Sequence, residues 1–210
     1  MKKNLKMFLL IAVCAMASCC LLYIREADEK QQIHSEKKEK EKLVFLTSKR
    51  ETRHIFEKII TDLNPDVVVH CAAWTAVDMA EDDDKVEKVR AINAGGTDNI
   101  AKVCKKIGAK MVYLSTDYVF DGQGEKPWDP DCKDYKPLNI YGQTKLEGEL
   151  AVSSQLEKYF IVRIAWVFGV NGKNFIKTML NVGKNHGTVR VVNDQIGTPT
   201  YTLDLARLLV

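Results

Sequence analysis

A chain of 210 residues with 46% apolar side chains can bury the core of one domain, or of one domain with an appendage. Its net charge of +3 is too small to imply nucleic-acid binding by itself. The six cysteines (Cys14, Cys19, Cys20, Cys71, Cys104, Cys132) form no C-x-x-C pair, and the four histidines are scattered. The thiols therefore read as free and mostly buried, in a reducing compartment, and a side-chain metal site is not expected.

Lys2, Lys3 and Lys6 precede an apolar run from Met7 to Ile24. The basic start and the small residues Ala15, Ala17 and Ser18 have the look of an export signal, and Met16-Ala17-Ser18-Cys19 loosely resembles a lipoprotein cleavage box. The run is at the lower limit for a membrane span. The other reading is a buried strand followed by a buried helix. Arg25 to Lys42 is rich in charge of both signs, which marks a solvated helix face or a loose linker. Residues 1–42 thus form a first strand-helix unit or an apolar segment with a charged linker, and residues 43–210 form the main domain.

From Leu43 onward strands and helices alternate. Leu43–Leu46 is a short apolar strand; Ile55, Phe56, Ile59, Ile60 and Leu63 recur at helical spacing until Asn64-Pro65-Asp66 breaks the helix. Val67–Cys71 is β-branched and reads as a buried strand. Val86, Val89, Ile92, Asn93, Ile100 and Val103 mark one long helix ending near Gly108, with Asn93 on its polar side. Met111–Leu114 is the next strand, a helix carries Tyr141 and Lys145, and Phe160–Ile164 is another strand. A helix over Phe175, Ile176, Met179 and Leu180 and a short strand at Val189–Val192 complete the pattern. Such alternation predicts an α/β fold, a doubly wound Rossmann-type parallel sheet with helices on both faces.

In such sheets ligands bind beyond the carboxyl ends of the strands. There the central strands run into Ala72-Ala73-Trp74-Thr75, Ser115-Thr116-Asp117 and Ala165-Trp166. Tyr141 and Lys145 are four residues apart, on one helix face. A cation beside a phenol favours the phenolate, which suits proton transfer to a carbonyl being reduced. On spacing alone, an exposed tyrosine beside a solvated lysine is the commoner explanation of such a pair. Thr116 and Asp117 could cap a turn, and Trp166 could be core.

The segment Leu114-Ser115-Thr116-Asp117-Tyr118-Val119-Phe120-Asp121-Gly122 resembles the signature loop of the dTDP-4-dehydrorhamnose reductases, members of the extended short-chain dehydrogenase/reductase superfamily. The likeness extends through Pro137–Gly142, Lys145–Glu149, Arg163–Gly169, Gly172–Phe175 and Asp194–Thr200, and upstream to Pro65–Val68 and His70–Asp78. It implies reduction of the 4-keto group of a dTDP-4-keto-6-deoxy sugar by NADPH or NADH, in dTDP-rhamnose biosynthesis. Tyr141 would give the proton, Lys145 would acidify it and hold the nicotinamide ribose, and Thr116 would hold the substrate carbonyl. Asp117 and Trp166 would contact the sugar nucleotide; Ala73, Trp74 and Thr75 would lie beside the cofactor. The resemblance further implies a nucleotide-sugar substrate, a cytoplasmic setting and often a homodimer, and a magnesium ion enters through it alone.

The family begins with a strand and a G-x-x-G-x-x-G turn whose bare backbone meets the cofactor pyrophosphate. By register from Pro65, that strand falls near Lys6–Val13 and the turn at Cys14–Cys20, where no glycine stands. This register favours strand plus helix for the apolar run. The acidic residue expected near the adenosine falls at about Lys49. A non-catalytic regulatory or binding subunit, or a sugar-nucleotide epimerase or dehydratase, is the alternative function, and membrane anchoring or export through residues 7–24 the alternative location.

Overall fold

A computed structural model of the chain describes residues 8–12, 44–45 and 52–209. Among these the chain divides into two compact units, one running up to Arg163 and the other from Ile164 onward.

The first unit is a parallel sheet with helices. Strand β1 (Phe8–Ala12) lies between β2 (Val44–Phe45) and β3 (Val67–His70), with Ile11 opposite Val44 and Phe8 opposite Val67. The strand therefore falls where the register from Pro65 puts it. The predicted turn at Cys14–Cys20 and Lys49 lie outside the described residues. Strand β4 (Lys110–Thr116) continues the sheet, with His70 opposite Tyr113, and β5 (Tyr159–Phe168) follows it in the order β2-β1-β3-β4-β5. The chain thus reverses its direction of winding between β1 and β3. That switch point is where the carboxyl ends of strands open a crevice in α/β sheets. The fold is the expected Rossmann-type α/β sheet.

Helix α1 (Thr52–Leu63) stops at Asn64, whose φ of +44° uses the tolerance of asparagine for the left-handed region, and Pro65 then prevents continuation. A 3-10 turn follows at Asp78–Glu81. The long helix expected over Val86–Gly108 is three pieces: α2 (Val86–Arg90), a π-helical segment (Ala91–Gly96) and α3 (Thr97–Ile107). The wider π turn shifts the helix face, so Asn93 is fully buried rather than on a polar side. Helix α4 (Ile140–Gln155) leads into β5. Ile60 of α1, Ile100, Val103 and Cys104 of α3, and Val152 of α4 pack with Val68, Met111 and Tyr113 into one core. Each such side chain removed from water contributes roughly 1.5–3 kcal/mol.

In the second unit, the far part of β5 pairs in parallel with β6 (Pro199–Tyr201), and α5 (Phe175–His186) and α6 (Thr202–Leu209) complete it. The predicted strand at Val189–Val192 is irregular instead, with Val191 and Val192 exposed. A β-branched run becomes a strand only beside a partner, and β5 pairs with Pro199–Tyr201, whose proline stands at the strand's first position, where its missing donor is tolerated.

Candidate active site

Strand β4 ends at Thr116, which caps a short 3-10 turn over Asp117–Val119. The Thr116 hydroxyl accepts from the Tyr118 amide at 3.2 Å and donates to Asp117 Oδ1 at 3.0 Å. The local capping role considered for this pair is therefore present. A hydroxyl has one proton and two acceptor sites, so only an acceptor site is left on Thr116.

The amino end of α4 is fixed against this turn. Asn139 accepts from the Gly142 amide at 2.7 Å, and Glu81 accepts from the Ile140 amide at 2.7 Å. These two side chains satisfy amides that a helix start leaves unpaired. Tyr141, in the first turn, meets Tyr118 edge-on with ring centroids 5.7 Å apart. One turn on, Lys145 is buried, and its ammonium donates to the Leu114 carbonyl at 2.7 Å. Thr116 and Asp117 thus stand at the carboxyl end of β4, with Tyr141 against the turn that follows and Lys145 bonded to the Leu114 carbonyl of the strand.

Beyond the carboxyl end of β3, Ala72 and Ala73 are buried and lead into Trp74 and Thr75. The Trp74 amide donates to Asn93 Oδ1 at 2.7 Å, and Asn93 Nδ2 donates to Thr144 Oγ1 at 3.0 Å. Asn93 thereby ties the segment after β3 to the helix that carries Tyr141. On sequence alone Asn93 falls on the polar side of its helix, and the π-helical segment turns it inward to make these bonds.

Behind the site lies a second buried network. Thr97 donates its one hydroxyl proton to the Asn93 carbonyl at 2.6 Å, so it accepts from His70 Nε2 at 3.1 Å. His70 Nε2 thus carries a proton, and burial first, then the Lys145 charge, lowers the pKa to about 3, which leaves the ring neutral. Burial lowers the Lys145 pKa to about 7, opposed by Glu149 and Cys71. Glu149 is itself buried and bridged by Arg163 at 2.7 Å, with a second bond of 2.9 Å. Cys104 is buried and its thiol is pushed up to about 12 by desolvation, whereas Cys71 and Cys132 are half-buried. Among the described residues no group of three His, Cys, Asp or Glu could hold a metal ion.

Trp166 belongs to the second unit. It is 50% exposed, so it is not a core residue. It has a φ of +46° where the pairing of β5 with β6 is irregular, and its indole lies against Gly197. A left-handed tryptophan costs on the order of 1–3 kcal/mol, and strain of that kind gathers at functional positions.

The model of the RmlD substrate binding domain matches residues 26–210. The chain belongs to the RmlD family. The dTDP-4-dehydrorhamnose reductase of Salmonella typhimurium is 45% identical over 141 residues, 67% of this chain and 46% of that protein. The crystal structure of a dTDP-4-dehydrorhamnose reductase from Clostridium acetobutylicum superposes with a TM-score of 0.76 at 36% identity, covering 97% of this chain and 69% of that one. The Bacillus anthracis enzyme, in complex with NADP, has a TM-score of 0.77 at 32% identity and covers 98% and 69%. This RmlD chain spans about half the length of the curated relatives it matches. No helix among its described residues is long and apolar enough to cross a membrane.

Proposed function

We propose that this RmlD-family chain reduces the 4-keto group of dTDP-4-dehydrorhamnose, in dTDP-rhamnose biosynthesis. The supporting observation is that Thr116 ends β4, Tyr141 lies against the turn that follows and Lys145 is bonded to the Leu114 carbonyl of the strand, beside the switch point of the sheet. The nicotinamide end of NADPH or NADH fits this edge. Ala72 and Ala73 are small, Ser115 Oγ is buried without a partner, and the Lys145 ammonium keeps N–H donors beyond the one given to Leu114.

In this reading Tyr141 and Lys145 hold the nicotinamide ribose, with residues 73–75 alongside. Bound NAD(P)H supplies the hydride. Tyr141 gives its phenolic proton to the ketone oxygen, and the ammonium of Lys145 stabilises the charge left on the phenol. Thr116 donates to the substrate carbonyl by exchanging its bond to Asp117 for one to substrate. Asp117 contacts the sugar nucleotide. A cytoplasmic location and a homodimer accompany the reading through the family resemblance.

Mixing the chain with dTDP-4-dehydrorhamnose and following NADPH absorbance tests it. Turnover is expected, and Tyr141→Phe should abolish it while nicotinamide fluorescence still reports cofactor binding. Absence of turnover together with absence of a fluorescence change at millimolar NADPH or NADH overturns the reading.

A further inference from the structure

Tyr113 has no part in the reaction above, yet among the described residues it is the largest fully buried side chain, and it lies directly against Lys145. The Lys145 ammonium stands 4.0 Å from the centroid of the Tyr113 ring. The same tyrosine reaches the backbone of α4, its hydroxyl lying 3.5 Å from the Lys145 carbonyl. Gly148 makes that approach possible, because a Cβ there would lie 2.4 Å from the Tyr113 hydroxyl. On the neighbouring strand His70 is in register with Tyr113 and stacks on it at 5.5 Å. The ring is therefore held by β3, β4 and α4 together.

An aromatic face carries negative charge density and attracts a cation, more strongly where water is excluded. The titratable groups around Lys145 are His70 from β3 and Cys71 just after it, Tyr113 from β4, and Tyr141 and Glu149 from its own helix. His70 is neutral, and the charge of Glu149 is engaged by Arg163. Leu114 takes one N–H of the ammonium, and the Tyr113 ring lies against the charge itself.

We propose that Tyr113 is a positioning residue: its ring face is the seat that holds the Lys145 ammonium charged at the carboxyl end of β4. It acts through Lys145 and touches neither substrate nor cofactor. The consequence for turnover rests on the reductase reading, but the seat is measurable without substrate.

The test is the NMR titration of the Lys145 side chain in 13C-lysine-labelled protein, its signal assigned by loss in Lys145→Met. Tyr113→Phe keeps the ring and should keep the midpoint. Tyr113→Met fills similar volume without the ring and should lower the midpoint by up to about one pH unit. Phenylalanines bearing one to three fluorines at position 113 keep the shape while draining the ring face, and should lower the midpoint stepwise. This series needs no cavity and remains decisive if Tyr113→Met does not fold. If the reductase reading holds, the alkaline limb of kcat/KM moves in parallel. A midpoint unchanged across the fluorinated series overturns the proposal, and so does a shift in Tyr113→Phe as large as in Tyr113→Met. Loss of turnover with a normal titration series would instead count against the reductase reading alone.

Discussion

Gly142 and the carbonyl of Tyr118 approach so closely that a Cβ on Gly142 would stand 2.2 Å from the oxygen. Backbone meets backbone here, so nothing flexible can yield. The contact joins the first turn of α4, which carries Tyr141, to the turn that Thr116 caps. Gly142→Ala should push these apart, costing about 1–3 kcal/mol of stability as overpacking does. The loss of turnover should exceed what the lost folded fraction explains. Urea unfolding and NADPH oxidation on the same preparation would separate the two effects. An alanine variant of wild-type stability and rate would mean that the approach is not required.

The Glu149–Arg163 pair yields a second expectation. Arg163 is held between Phe120 at 5.0 Å and Tyr135 at 5.3 Å, and it donates to the Tyr135 hydroxyl at 3.1 Å. Arg163→Met would leave the Glu149 carboxylate buried and unpaired, which costs about 3–5 kcal/mol. Replacing both, with Glu149→Leu, should recover much of the loss, because the stranded charge is then gone. A double-mutant cycle by denaturant unfolding measures the coupling; purely additive losses would contradict it.

His70 sets the acid response. Its folded pKa is about 3 against an ordinary 6.5, so between these values only the unfolded chain takes the proton. Stability contributed by neutral His70 is present above about pH 6.5 and falls as pH drops toward 3, by about 1.4 kcal/mol per unit. His70→Asn should be less stable at neutral pH and show a shallower decline on acidification. Chemical unfolding between pH 7 and about 4 reads the slope, and an equally steep slope in the variant would remove His70 as its source.

The sequence was most legible where geometry is periodic. The four-residue step from Tyr141 to Lys145 fixes one helix face, and the run Val67-Val68-Val69 suits only a buried strand, as found. Less was legible where tertiary contacts decide. The π segment that buries Asn93 has no local signature, because a wider helical turn is selected by what packs against it. Val189–Val192 has strand propensity but pairs with no strand among the described residues. The left-handed backbone of Trp166 runs against its own residue type and follows from its surroundings in the second unit, where Gly197 leaves room for the indole. The Tyr113 seat beneath Lys145 required the register between β3 and β4, which composition does not encode.

The pH dependence of turnover follows from Lys145. Burial brings its pKa down to about 7, with Glu149 and Cys71 opposing the shift. Below that value the ammonium is charged and can stabilise the phenol as it gives up its proton; above it the charge is lost. Since kcat/KM reports groups of the free enzyme, it should fall on the alkaline side with a limb near the Lys145 midpoint. Lys145→Met should lower the rate by about 10²–10⁴-fold, the span of a proton-transfer contribution, and should flatten that limb. Lys145→Arg keeps the charge at alkaline pH, since guanidinium does not titrate there, and its residual rate should lack the limb as well. A limb that persisted in both variants would assign the titration to another group.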